Sequence, residues 1–251
     1  MIALTHVPTP NLHAGERTYI DHQPIDHAQA LRQHAAYCDT LAKCGWDVRR
    51  LTHQRELADA TFIEDTAVVL DEVAVLASMG AASRAAEPSA IAPLLREWRE
   101  VRQIEPPALL EGGDVLRIGR QLLVGRSRRT NAAGIELLAD IVRPFGYRVA
   151  SVAVTGCLHL KTAVCALPDG RLLVNSNWIA QGELRDYACV AVADHESFAA
   201  NILLSGQTVT MDASHQETIR LLRRDFDVRP VTISEFAKAE GGVTCLSLLI
   251  T

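Results

Sequence analysis

Four short stretches of this chain concentrate side chains able to do chemistry. Asp59-Ala60-Thr61-Phe62-Ile63-Glu64-Asp65 sets two adjacent carboxylates, with a third further back, ahead of an apolar run. Glu111-Gly112-Gly113-Asp114 brackets a Gly-Gly step, which permits backbone geometry and close approach that a Cβ resists. Cys157-Leu158-His159-Leu160-Lys161 alternates polar groups with leucine, and Glu240-Gly241-Gly242-Val243-Thr244-Cys245 places a carboxylate and a thiol around a second Gly-Gly. Thiol, imidazole and carboxylates are together the ingredients of nucleophilic catalysis. Each stretch also has a plainer reading alone: solvated loop charges for Glu64, Asp65 and Glu111, a hydrogen-bonded core histidine for His159, a small buried hydrophobe for Cys245. A zinc site ranks low, because no zinc-finger spacing and no HExxH motif occurs.

These stretches stand at the leading edges of a repeated pattern. Residues 67–77, 114–125, 162–175 and 200–211 each read as a hairpin, with β-prone runs split by Asp71-Glu72, Gly119-Arg120, Pro168-Asp169-Gly170 and Ser205-Gly206-Gln207. Helical spacing then follows in three of the four. Ile91, Leu94, Leu95, Trp98 and Val101 recur behind Pro88, and Ile135 to Phe145 behind Thr130 as a cap. Ser214 to Glu217 reads as a capping box that opens a helix through Phe226. The third unit offers only the weak stretch 181–188. Strands at Tyr147–Val154 and Val228–Ile233 close units. A fifth unit must join both ends: strands Thr244–Ile250 and Ile2–Val7, an amphipathic helix from Ala28 to Leu41, and the strand Trp46–Leu51. Joining the termini in this way would close a ring and bring the four leading edges to one place; an ordinary α/β sheet without symmetry is the alternative.

Composition bounds the rest. A chain of 251 residues, 48% hydrophobic and 22% charged, can bury a substantial core and is neither disordered nor collagen-like. Net charge −5 without a Lys/Arg block argues against a nucleic-acid partner, and no apolar run is long enough for a membrane helix. No secretory signal is visible, and six cysteines without a CxxC pair read as thiols of a reducing cytoplasm. The glycine pairs fit neither GxGxxG nor a P-loop, so no cofactor is expected. Dimers are common among soluble enzymes, which leaves a homodimer open, though nothing marks an interface.

The ordered set Phe62-Ile-Glu-Asp65, Gly80-Ala-Ala-Ser-Arg84, Glu111-Gly-Gly-Asp114, Arg129-Thr-Asn131, Leu158-His-Leu-Lys161, Ala199-Ala-Asn201 and Gly241-Gly-Val-Thr-Cys-Leu-Ser247 spans nearly the whole chain. In these motifs it resembles the dimethylarginine dimethylaminohydrolase family, within the guanidino-modifying enzymes that include arginine deiminases and amidinotransferases. The resemblance implies one catalytic domain over residues 1–251, folded as a five-bladed pseudo-symmetric α/β propeller of hairpin-helix-strand units. It implies Cys245 as nucleophile, His159 as general acid/base, Glu111 as the histidine's support and Asp65, with Glu64 beside it, as the grip on the guanidinium. Arg84 and Arg129 would bind the substrate carboxylate. Asp59 and the main-chain carbonyls at Leu12 and Ala239 would meet the amine. In the family the segment Asn11–Asp26 forms a flap; here it carries His13, Arg17, Tyr19 and His22.

The expected reaction is hydrolysis of Nω-methylated arginine to citrulline and an alkylamine through a covalent cysteine thiouronium, without metal. A free thiol is only a few per cent thiolate at neutral pH, so His⁺ or the bound cation must favour ionisation. The alternatives are deimination of arginine or another guanidine with release of ammonia, an amidinotransferase, and a non-catalytic propeller that binds arginine-like ligands.

Overall fold

The computed structural model describes residues 1–180 and 182–251. Strands β1 (Ile2–His6) and β2 (Asp47–Leu51) run parallel, linked by helix α1 (His27–Lys43). Asp26 caps α1 by accepting from the Gln29 N–H, and the helix turns Ala30, Tyr37, Cys38 and Leu41 inward at the spacing an amphipathic helix requires. β3 (Ala67–Val69) pairs antiparallel with β4 (Val73–Leu76), and β5 (Glu100–Gln103) joins β4 in parallel after helix α2 (Glu87–Leu95). β6 (Val115–Ile118), β7 (Gln121–Arg126) and β8 (Arg148–Ala153) repeat that arrangement around helix α3 (Ala132–Val142).

The one-turn helix α4 (Leu160–Ala163) leads into β9 (Val164–Ala166), which pairs with β10 (Leu172–Val174); β11 (Cys189–Ala191) completes that sheet. β12 (Ile202–Ser205), β13 (Thr208–Asp212) and β14 (Asp227–Val231) form the next sheet, with helix α5 (Gln216–Leu222) as the crossover. After helix α6 (Ser234–Ala237), β15 (Leu248–Ile250) returns to pair antiparallel with β1, Ile250 opposite Ile2. Each of the five sheets thus has three strands, an antiparallel pair plus a parallel third, and both chain ends share one sheet.

In the antiparallel pairs both faces of the strands are largely buried, which explains apolar runs in place of strict alternation, while the parallel third strands β2, β5, β8, β11 and β14 are mostly open to solvent. Val68, Val75, Val115 and Val124 pack with Ile135 and Leu138 between the second and third sheets in chain order. The opposite face of the same strands, Ala67, Ala74 and Leu76, packs with Leu4, Leu248 and Ile91. Leu116 and Leu123 face Leu160, Val164 and Leu172, while Cys165 and Leu173 face Ile202, Val209 and Met211. Leu203 and Phe236 join Ala3, Tyr37 and Leu41. One residue's shift in register would move a strand's whole side-chain set into the wrong cluster.

Several boundaries differ from the sequence expectation. α2 stops at Leu95; Trp98 lies in a turn and Val101 in β5. Asn131, not Thr130, caps α3, because its carboxamide oxygen reaches the Gly134 N–H while Thr130 Oγ1 accepts from the Glu111 N–H. Ser214 does not form a capping box; the Glu196 carboxylate accepts from the N–H groups of Glu217 and Thr218 instead. In the stretch 181–188, residue 181 lies outside the described residues, and 182–188 run through turns rather than a helix.

Candidate active site

Single helical turns precede the first strand of four sheets, at Ile63–Thr66, Gly112–Asp114, Leu160–Ala163 and Thr244–Leu246. Each leaves one short segment that neither continues the strand nor faces solvent, and the functional candidates ride on these turns or beside them. The first turn packs against the second and the fourth, and the second against the third. Gly113 makes the meeting possible: a Cβ there would stand 2.6 Å from Asp65 Oδ1 and 2.8 Å from His159 Nδ1. Any other residue would push the carboxylate and imidazole apart.

His159 is buried with Nε2 2.7 Å from Glu111 Oε2 and Nδ1 3.8 Å from Asp65 Oδ1. Burial alone would lower its pKa, but the Asp65, Asp114 and Glu111 carboxylates outweigh that and raise it to about 9. The ring is therefore an imidazolium at neutral pH. Burial pushes Glu111 up, while His159, Arg84 and Arg129 pull it down further, to about 2. The Glu111 carboxylate also accepts from the Gly80 N–H at 2.8 Å and Arg129 Nη1 at 3.3 Å. Asp114, raised by burial to about 6, accepts from the Leu160 N–H and the Ser127 hydroxyl and so fixes the turn that begins beside His159.

Cys245 is 9% exposed, and its Sγ accepts from the Gly242 N–H at 3.4 Å. Burial, then the Asp65 and Glu64 carboxylates, pushes its pKa well above that of a free thiol. At rest the sulfur is protonated, and the same Asp65 that charges His159 discourages the thiolate. The turn that bears Cys245 is held from both sides: the Tyr37 hydroxyl bonds the Val243 carbonyl at 2.9 Å and Ser247 Oγ at 2.7 Å. Asn201 adds a third hold, its Oδ1 accepting from the Thr244 N–H and its Nδ2 donating to Thr244 Oγ1 and the Lys161 carbonyl.

Glu64 pairs with Lys161 at 2.5 Å through Oε1, while its Oε2 is buried without a hydrogen-bond partner among the described residues. An unsatisfied buried carboxylate oxygen beside the thiol suits a ligand that brings N–H donors. Asp65 accepts from the Gly113 N–H at 3.1 Å and from Arg84 Nη1 at 2.7 Å. Leu12, Phe62, Ala239 and Cys245 belong to one buried apolar cluster. The Leu12 carbonyl accepts from the Gly15 N–H and Arg17 Nη2, and Asp59 accepts from the Glu16 N–H at 3.0 Å.

The two arginines expected to bind the substrate carboxylate differ in how far their donors are committed. Arg84 is buried, donating to both Glu87 oxygens, to Asp65 and to the Phe62 carbonyl. Arg129 makes a single long pair with Glu111 and keeps its Nε and Nη2 without protein partners among the described residues. Lys161, Asp114, Asn201 and Phe62 lie within the sequence motifs without an expected role, and Glu87 lies outside them. The (i,i+3) spacing of Arg84 and Glu87 was its one available signal. Asp65, Glu111 and His159 also form a group with ligand atoms within 4.8 Å of one another.

No profile of a known protein family matches the chain. A dimethylarginine dimethylaminohydrolase of Streptomyces coelicolor is 39% identical over 249 residues, covering 98% of this chain and 95% of the relative. Among solved structures, a dimethylarginine dimethylaminohydrolase in which a histidine-to-glycine variant forms an adduct with S-methyl-L-thiocitrulline superposes with a TM-score of 0.93 at 30% identity, covering 98% of both chains. A cysteine-to-serine variant of the Pseudomonas aeruginosa enzyme, complexed with citrulline, gives the same score and identity over 98% of this chain and 97% of that one.

Proposed function

This chain belongs to the dimethylarginine dimethylaminohydrolase family, and from that premise we propose the part each side chain plays in hydrolysing Nω-methylated arginine to citrulline and an alkylamine. The substrate guanidinium lies between Asp65 and the free oxygen of Glu64. Its arrival offsets the two carboxylates that hold the Cys245 thiol protonated, so the thiol proton leaves to water as the cation binds. The thiolate attacks the central guanidine carbon and forms a tetrahedral adduct. The His159 imidazolium donates its proton to the methylated nitrogen, the C–N bond breaks, and the alkylamine departs.

The S-alkylthiouronium that remains meets a water molecule. Neutral His159 removes a proton from that water, the oxygen adds to the carbon, and the C–S bond breaks as the new hydroxyl gives up its proton to solvent, leaving citrulline and the thiolate. Glu111 holds the imidazolium and keeps its ring oriented. Arg129, with its uncommitted donors, binds the α-carboxylate, and Arg84 completes the clamp from its seat on Asp65 and Glu87. The amine meets Asp59 and the Leu12 and Ala239 carbonyls. The observation that carries this reading is His159 seated between Glu111, 2.7 Å from Nε2, and Asp65, 3.8 Å from Nδ1, while the turn that bears Asp65 packs against the turn that bears Cys245.

The five sheets are read as blades of a pseudo-fivefold propeller that forms one catalytic domain over residues 1–251. Support comes from the apolar clusters, each of which joins consecutive sheets, the last linking Leu203 to the sheet that holds both termini. Six free cysteines suit a cytoplasmic setting, and no helix among the described residues is long and apolar enough to cross a membrane. The test is incubation with dimethylarginine, monomethylarginine and arginine, measuring citrulline and the released amine. Citrulline with alkylamine is expected from the methylated substrates. Ammonia from arginine alone would mark a deiminase instead.

A further inference from the structure

One buried carboxylate outside the reacting groups is committed to residues 18 and 19, within the segment Asn11–Asp26 that the resemblance makes a flap. Glu240 lies between Ala239 and the Gly-Gly step before Cys245, and its φ of +62° makes it the one left-handed non-glycine among the described residues. Its Oε2 accepts from the Thr18 N–H at 2.6 Å and its Oε1 from the Tyr19 N–H at 2.9 Å. The flap reciprocates: Arg17 Nε donates to the Lys238 carbonyl at 3.0 Å. Asp59 holds the Glu16 N–H, and Glu235 accepts from the Asp26 N–H at 2.8 Å.

Left-handed backbone is a conformation that glycine takes freely and a side-chain-bearing residue takes at a cost. A glutamate persists at this position with both carboxylate oxygens bonded to flap amides. From this geometry we infer that Glu240 is a positioning residue that latches the flap shut, tying residues 18 and 19 to the segment that carries Cys245. Carboxylate bonds to backbone N–H groups are stronger than neutral ones, so two of them on a short segment suffice to bias it toward closure. If residues 11–26 act as the flap that the resemblance implies, substrate affinity carries the closed fraction as a factor, because a closed flap excludes water from a site. What the latch serves rests on the proposed hydrolysis; the latch itself does not.

Two variants separate the possibilities. Glu240→Gly keeps the left-handed backbone and removes the carboxylate, and Glu240→Gln keeps the shape but turns one acceptor into a donor facing an N–H. Amide exchange of the ligand-free protein, read by NMR, should quicken at Thr18 and Tyr19 by about tenfold in both, while the melting temperature of Glu240→Gly is unchanged or higher. With dimethylarginine, KM should rise about tenfold and kcat change less than about threefold. Unchanged exchange at residues 18 and 19 in both variants overturns the latch, whatever the activity. Faster exchange with unaltered KM overturns its role in holding substrate, as does a loss confined to kcat. If the wild-type protein turns over no methylarginine, the exchange result still decides the latch, and the failure belongs to the proposed hydrolysis alone.

Discussion

Two arginine clusters make the same bonds in opposite surroundings. On the surface, Arg117 donates both terminal nitrogens to Asp71, and Arg120 reaches Glu72, with both guanidinium groups over the Tyr147 ring. Inside, Arg84 donates to Asp65 and Glu87, all three side chains less than 5% exposed. Water competes for every bond of the outer cluster, so its pairs contribute little. In the inner cluster a carboxylate that loses its partner has no water to turn to, and that dependence lets Asp65 hold His159 charged and Cys245 protonated at once. Burial, rather than the kind of bond, makes one cluster a site and the other a brace.

If that distinction is right, changes inside should be severe and those outside small. Cys245→Ser should lower turnover by at least about a thousandfold, because the hydroxyl is a far weaker nucleophile; the absence of a covalent adduct in mass spectra of the quenched reaction checks the cause. Substantial activity in that variant would end the covalent mechanism. Arg84→Ala should cost about 3–5 kcal/mol in denaturant unfolding, since Asp65 and Glu87 are left buried and unpaired.

The His159 charge gives a pH signature. Its folded pKa of about 9 lies above the ordinary 6.5, so its stabilisation is complete below pH 6.5 and is lost as pH rises through 9. Activity should fall over the same alkaline limb as the imidazolium loses the proton it must donate. Glu111→Gln should move that limb to lower pH by about one unit or more, and lower kcat about a hundredfold, in a kcat profile and a thermal-stability series. An unmoved limb would remove Glu111 from the support of His159.

Tyr37→Phe probes a bond between the two extremes. Losing the hydroxyl's contacts with Val243 and Ser247 should cost about 1–2 kcal/mol and loosen the nucleophile's turn, seen as a lower kcat with little change in KM. The smallest effect belongs to the surface: Arg117→Ala should cost less than about 1 kcal/mol and leave kcat/KM unchanged. A larger loss there would mean that the Asp71 cluster is more than a brace.

Much of this arrangement was legible in the chain. Turn residues at Gly119-Arg120 and Ser205-Gly206 fixed the hairpins, because few residues tolerate those backbones, and the ordered motifs pointed to Cys245, His159 and Asp65. Caps were less legible. Thr130 looked like the cap of α3, yet Asn131 won because Thr130 was needed at the Glu111 N–H, a contact across 19 residues. Glu196, which holds the first amides of α5, lies 21 residues before Glu217 and left no local signal.

Local order therefore settled the elements: where a strand must turn, which helix face is apolar, which residue types could attack, donate or grip. The protonation states could not be read the same way, since a pKa depends on which charges crowd a group and how much water reaches it. Packing alone brought Asp65, Glu111 and Asp114 around one imidazole, and shut water away from the sulfur. The same carboxylates on an open loop would have left both groups near their ordinary values, and no spacing along the chain distinguishes the two cases.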